Sequence, residues 1–247
     1  MLLITTVFAF ALPIGAMIYW RKRTGLGIKP FVVGAACFLL FAMSLEQVLH
    51  TFVLGGDTPL SRTIKGTPAL FVLYGSLAAG IFEETGRLFG FKVLLRGERR
   101  KEVSVAYGIG HGGIEVILVL GVSYLMLTLV KFGVSLGDAE ANALLADSLS
   151  KTGTGTMVWA MLERISGMML HIGLSILVFY AASRPGKMVF YPLAILLHAL
   201  ADVPAALYQA EILKSIPAIE LIVFCCSVCI LSIGVFFYRK MDKGAES

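Results

Sequence analysis

Seven stretches of this chain are apolar enough and long enough to cross a bilayer, and nothing between them is long enough to fold as a separate soluble domain. They run over about 2–20, 30–54, 68–95, 103–130, 157–182, 188–209 and 216–238. A helix rises 1.5 Å per residue, so about 20 apolar residues span the hydrocarbon core. The longest intervening segment, 131–156, has only about 26 residues. Composition agrees: 57% of the 247 residues are hydrophobic and 15% are charged, where a soluble domain carries about 25% charged residues. The expected fold is an all-α polytopic transmembrane bundle of about seven spans, one domain over 1–247.

Charge placement orients the bundle. With the N-terminus outside, the inner segments 21–29, 96–102, 183–187 and 239–247 hold 13 Lys and Arg, and the outer segments hold five. That is the bias of cytoplasmic loops, so an N-out, C-in arrangement is expected. The RKR run at 21–23 follows the first apolar stretch, and no basic residue precedes it in MLLITTVFAF. A retained first helix is therefore read in preference to a cleaved signal peptide. The net charge of +5 then reflects topology and attraction to anionic lipid. The basic runs are short and sit at helix ends, so no nucleic-acid partner is expected.

Two features carry little chemistry. Cys37, Cys225, Cys226 and Cys229 all fall inside spans, and the CxxC of VFCCSVCILS has apolar flanks and no second ligand pair. These thiols read as small hydrophobes. The outer segment KFGVSLGDAEANALLADSLSKTGTGT spaces Ala and Leu from Asp138 to Leu149 as a short interfacial amphipathic helix would. A plain loop suits it equally.

The informative residues are the ionisable ones inside the spans. Each costs about 2.5–3.5 kcal/mol at mid-bilayer on insertion scales, so such groups are rare and face the bundle interior. Span two carries Glu46 and His50, and span three carries Glu83, Glu84 and Arg87 in FEETGR. Span four carries His111 and Glu115, span five Glu163, Arg164 and His171, and span six His198 and Asp202. All four histidines of the chain are among them. Spans one and seven read as packing.

Depth and spacing tie these groups together. Counted from the cytoplasmic end, Glu83, Glu84, His111, Glu115, His171, His198 and Asp202 lie about 8–14 residues in, one slab near the midplane. Glu46, His50, Glu163 and Arg164 lie nearer the outer face. His111 and Glu115 are four apart, as are His198 and Asp202, so each pair shares a helix face. Glu83 and Arg87 are also four apart and are expected to pair, leaving Glu84 to turn elsewhere. Gly86 and Gly90, and the glycines of GIGHGG around His111, admit a neighbouring backbone or a substrate. Glu46–His50 reads as an interhelical link or the mouth of a cavity, and Arg87 and Arg164 as counter-ions with Glu163 in support.

Histidines beside paired glutamates form a constellation for activating water. A hydrolytic zinc site uses three His, Glu or Asp ligands and an open position, and a nearby glutamate takes the proton. A proton-coupled transporter would also place charges at mid-membrane, but paired repeats with broken helices are not evident. EETGR, GHGGIE, ER followed by His171, and HALAD, one motif per successive helix, resemble the YhfC-type membrane peptidases. That family is similar to the CAAX-processing and PrsW-like glutamate-dependent intramembrane proteases.

The resemblance covers essentially the whole chain. It implies an intramembrane endopeptidase of the bacterial plasma membrane, acting on a membrane-protein or lipidated-peptide substrate. Glu83 or Glu84 would be the base, His111 would hold the water, and His198 and Asp202 would stabilise the oxyanion. Two departures matter. The EETGR spacing is one residue shorter than EExxxR, and Asp202 stands where many relatives have Asn. A carboxylate suits a metal-ligand or histidine-orienting role better, so a zinc site on His111, Glu115, His171 and His198 is expected, with cleavage toward the cytoplasmic side.

Overall fold

A computed structural model describes residues 1–243, and among these the regular structure is helical throughout. The helices are α1 (Leu2–Thr24), α2 (Lys29–Leu54), α3 (Pro59–Gly66), α4 (Pro68–Leu94) and α5 (Glu102–Lys131). They continue with α6 (Ala139–Lys151), α7 (Thr154–Ser183), α8 (Phe190–Gln209) and α9 (Ile216–Lys243). The bundle is an integral membrane architecture. Helices α1, α2, α5, α7, α8 and α9 are each long and apolar enough to cross a membrane, while α4 qualifies only jointly with α3. The reason is visible in α4, which carries Glu83, Glu84 and Arg87 in one stretch. The α3–α4 pair bends by 103° around Thr67.

Local sequence explains the boundaries. Gly25 ends α1 in the left-handed region at φ 68°, where its N–H reaches Arg21 O. Thr58 caps α3 through its hydroxyl on Ser61 N at 3.1 Å, with Pro59 in the first turn. Asp138 caps α6 on Ala141 N at 2.8 Å. The outer segment expected as either loop or amphipathic helix is thus helical over Ala139–Lys151.

Helix α7 forms the axis of the bundle. In its most apolar 18-residue window 72% of residues are buried, against 22–39% in the other spanning helices. It packs on α9, α5, α8 and α4. Helix α5 packs in turn on α2 and α1, and α8 packs on α4. The outward faces carry large apolar side chains such as Phe52, Leu73, Leu200, Leu221 and Phe236, as contact with lipid requires. Cys37 is buried, whereas Cys225 and Cys229 of α9 face outward; all four thiols are free.

Close approach depends on the GIGHGG stretch. A Cβ on Gly110 would lie 2.0 Å from Phe31 O of α2, and one on Gly108 would lie 2.7 Å from the Ile172 Cα of α7. The glycines around His111 therefore admit neighbouring backbones. Three helices also contain a π-helical turn, over Phe41–Glu46 in α2, Gly90–Leu94 in α4 and Ile117–Val122 in α5. Such turns rotate the facing of the residues beyond them and recur at functional sites.

Gly110→Val is expected to destabilise the protein by about 1–3 kcal/mol or more through backbone overpacking. Gly15→Ala, where a Cβ meets nothing within 4 Å, should change stability by less than about 0.5 kcal/mol. Unfolding in detergent micelles compares the two.

Candidate active site

Helices α4, α5, α7 and α8 bring their polar residues to one place. Glu83 is the hub. Its Oε2 lies 2.9 Å from His111 Nε2, 3.5 Å from an Arg87 nitrogen, 3.7 Å from His171 Nδ1 and 3.9 Å from His198 Nε2. Three imidazoles from three different helices thus surround one carboxylate oxygen. Their rings also contact each other, His111 to His171 at 5.0 Å and His171 to His198 at 5.9 Å between centroids.

Glu84 sits behind this hub. It is fully buried, and its Oε1 accepts from Arg87 and lies 2.6 Å from His198 Nδ1. The sequence expectation paired Arg87 with Glu83 and left Glu84 unpaired; here Glu84, three residues away on the same helix, holds the closer contact. Arg87 is itself fully buried. It donates to Glu84 and to Ser175 Oγ at 3.3 Å, and places Nη2 2.5 Å from His171 Nδ1.

These partners settle the histidine tautomers. A guanidinium only donates, so His171 Nδ1 accepts and its proton sits on Nε2, which faces Glu115. An ionised Glu84 only accepts, so His198 Nδ1 donates and Nε2 faces Glu83 and Asp202, the latter at 3.4 Å. His111 has one polar direction. Its Nδ1 is buried without a partner, and its ring lies against Phe38 and Tyr107.

Glu115, Arg164 and Glu163 form an outer layer. Glu115 bridges His171 Nε2 and Arg164 Nη1, the latter at 2.7 Å, and Arg164 also holds Glu163. Glu115 was expected among metal ligands, but it approaches the cluster through the far side of His171. Asp202 is the open edge, with 32% of its side chain exposed against 11% for Glu83. Glu46 and His50 form their own pair at 3.2 Å, and His50 reaches Tyr74 Oη at 2.8 Å; Glu46 nevertheless lies close enough to interact electrostatically with Glu83, His198 and Asp202.

The donor set fits a divalent metal. Zinc ligands at about 2.0–2.2 Å in a tetrahedron lie about 3.4 Å from one another. One ligand atom each from Glu83, His111 and His171 falls within 4.8 Å of the others, and Glu83 Oε2 stands 2.9 and 3.7 Å from the two nitrogens. Glu115 behind His171 is the carboxylate that commonly orients a ligating imidazole. Arg87 competes for the same His171 lone pair. Charge points the same way: five carboxylates, Glu83, Glu84, Glu115, Glu163 and Asp202, share two arginines, Arg87 and Arg164, and a divalent ion or imidazolium protons would offset part of that excess.

Several contributors escape the sequence reading. Ser175 and Tyr107 support the cluster, the latter through its hydroxyl on Gly86 O at 3.2 Å. Their residue types are too common in membrane helices to signal it. Glu220 lies on α9, a span read as packing alone, and has a buried carboxylate oxygen without a partner.

Comparison with known proteins places this geometry in a family. The family model described as YhfC intramembrane metalloprotease matches residues 8–223. The chain is 35% identical over 252 residues to the protein titled "Uncharacterized membrane protein YhfC" from Bacillus subtilis (strain 168), covering 98% of this chain and 95% of that relative. No solved structure matches. The chain belongs to the YhfC family.

Replacing Arg87 by Met leaves buried carboxylates without their cation and should destabilise the protein by about 3–5 kcal/mol. Arg62→Met, which removes an exposed 3.6 Å pair with Asp57, should cost less than about 1 kcal/mol. Denaturant titration of the two purified variants measures the contrast.

Proposed function

We propose that this membrane protein is an endopeptidase that hydrolyses a peptide bond of a membrane-protein or lipidated-peptide substrate within the plasma membrane. The observation that carries this reading is the meeting of three imidazoles on the Glu83 carboxylate, beside an edge open at Asp202. Pure packing gives no reason to collect four carboxylates, three histidines and two arginines in an apolar bundle, where each must be compensated.

Glu83 is the water-activating residue in this account. Glu84 is held by Arg87 and His198, whereas Glu83 retains partial exposure and uses only Oε2 toward the histidines. Its other oxygen is free to take a proton from a water lying between it and the substrate carbonyl. His111 fixes the rotamer of that carboxylate through the 2.9 Å contact. His198, oriented by Glu84, presents Nε2 to the open edge, where the doubly protonated imidazolium would offer a second N–H to stabilise a developing oxyanion or protonate the leaving amine. Asp202, four residues on, holds that imidazole in place and suits this role better than donating to an oxyanion.

Glu83, His111 and His171 are the residues that would hold a divalent metal, zinc being the one their donor types suit. A bound zinc would lower the pKa of a coordinated water and polarise the carbonyl. Glu115, through His171 Nε2, leaves Nδ1 unprotonated, and Arg87 would have to release that lone pair for a metal to take it.

Purified protein reconstituted into vesicles with a membrane-spanning reporter peptide tests the proposal. Glu83→Gln is expected to lower the cleavage rate by about 10²–10⁴-fold, the range of a lost acid–base group, with folding unchanged. Retention of full hydrolysis by Glu83→Gln would remove Glu83 from the water-activating role, and cleavage absent from the parent while the same variant alters proton flux would replace this reading with that of a proton-coupled carrier. Metal content supplies a second check. Stoichiometric zinc in the parent should fall at least tenfold in His171→Ala and be kept in Glu163→Gln.

A further inference from the structure

A sizeable cavity lies away from the histidine cluster. It has a volume of about 660 Å³ and lies where the turn between α4 and α5 meets the ends of α7 and α9. Neighbouring contacts gather the basic ends of the bundle here. Arg100 donates to Thr24 O at 2.7 Å, Trp20 Nε1 to Glu102 O at 3.0 Å, and Arg184 to Met241 O at 2.8 Å. This is the end that the Lys and Arg bias assigns to the cytoplasm.

The wall of the cavity is cationic. Lys92, Arg96, Arg99, Lys101 and Arg184 line it, opposed by Glu98, Glu102 and Asp242. Two of the acids already have partners, Asp242 with Lys101 and Glu102 with Arg100 at 3.6 Å. Lys92, Arg96 and Arg99 make no ion pair with any described residue, and all three are exposed. The Ser183 hydroxyl also belongs to the lining and is buried without a partner.

Just below this rim the surface becomes apolar. Phe91 and Phe179 form the floor, with ring centroids 5.2 Å apart. On the outer side of α4, Val93 and Leu94 are 55% and 40% exposed. A ligand that fits both regions carries an anionic group with donor-seeking oxygens and a hydrocarbon portion. Arginines recognise phosphate oxygens through paired N–H donors, and basic pockets at the cytoplasmic ends of spans hold lipid head groups.

We infer that this cavity binds the phosphodiester head group of an anionic glycerophospholipid, with its acyl chains lying along α4. The site is separate from the histidine cluster and does not depend on the proposed activity. It would act as a lipid anchor for the α4–α5 turn. The Phe91 ring lies tilted by 45° against Tyr107 with centroids 4.5 Å apart, and Tyr107 stacks on His111 at 5.9 Å, so the cavity floor is in contact with the elements that carry the cluster.

Native mass spectrometry of the full chain, titrated separately with phosphatidylglycerol and phosphatidylcholine, measures the binding. The parent is expected to retain phosphatidylglycerol at least tenfold more tightly than phosphatidylcholine. Arg96→Glu/Arg99→Glu should remove that preference, and the milder Arg96→Gln/Arg99→Gln should weaken it at least threefold if the reversed charges impair folding. Arg62→Glu/Lys65→Glu, at the other end of the bundle, should keep it. Unchanged preference in both Arg96/Arg99 variants, or equal loss in the Arg62/Lys65 control, would overturn the inference. Displacement of the lipid by millimolar inorganic phosphate, with the same arginine dependence, would overturn the lipid assignment in favour of a soluble phosphate.

Discussion

A fully buried guanidinium within a lipid-embedded bundle is the constraint on which the rest of this structure depends. Arg87 cannot be left without compensation in such a place, and its partners come from its own helix and from α7: Glu84 and Glu83 on one side, Ser175 and His171 on the other. Those contacts fix the facing of α4 against α7. Once α4 is set, Glu83 is directed at α5 and Glu84 at α8, and each carboxylate meets a histidine there. A buried charge network of this kind is weak evidence of stability for its own sake, because apolar replacements of equal volume are often as stable.

Small residues make that positioning compatible with dense packing. Around His111 the glycines let the backbones of α2 and α7 approach to contact distance, so an imidazole can reach the bundle centre without a cavity forming around it. Phe38 and Tyr107 close the apolar side of the ring. The result is a histidine with one polar direction, and that direction is Glu83. On the opposite edge the Asp202 side chain is 32% exposed and that of Glu115 is 20% exposed, so the cluster is not sealed on every side.

Much of this was legible in the sequence, and the reasons are physical. Runs of about 20 apolar residues announce spans whatever their tertiary partners, so six of the seven expected spans appear as single helices, and the seventh counts only if the bent α3–α4 pair is one span. The level of the polar groups came from a rise of 1.5 Å per residue, and the pairing of His198 with Asp202 from a spacing of four. The expected pairing of Arg87 with Glu83 is present at 3.5 Å. Its closer contact with Glu84 was not legible, because positions three and four apart both lie within reach on a helix and the sequence does not rank them. Glu115 likewise shares a face with His111 by spacing, but reaches the centre only through His171, a relation set by where α7 lies. The cavity beneath the α4–α5 turn is built from that turn and the ends of four helices, α4, α5, α7 and α9. Sequence periodicity has no means of bringing those together.

The central claim is that groups from separate helices interact energetically in one shared pocket. A double-mutant cycle between Glu83→Gln and His111→Ala, with unfolding free energies measured in mixed micelles, tests it most directly. The account predicts a coupling energy of at least about 1 kcal/mol, as expected for residues in one hydrogen-bonded network. Effects that add to within about 0.5 kcal/mol would mean that the two residues do not meet, and the shared site would have to be abandoned.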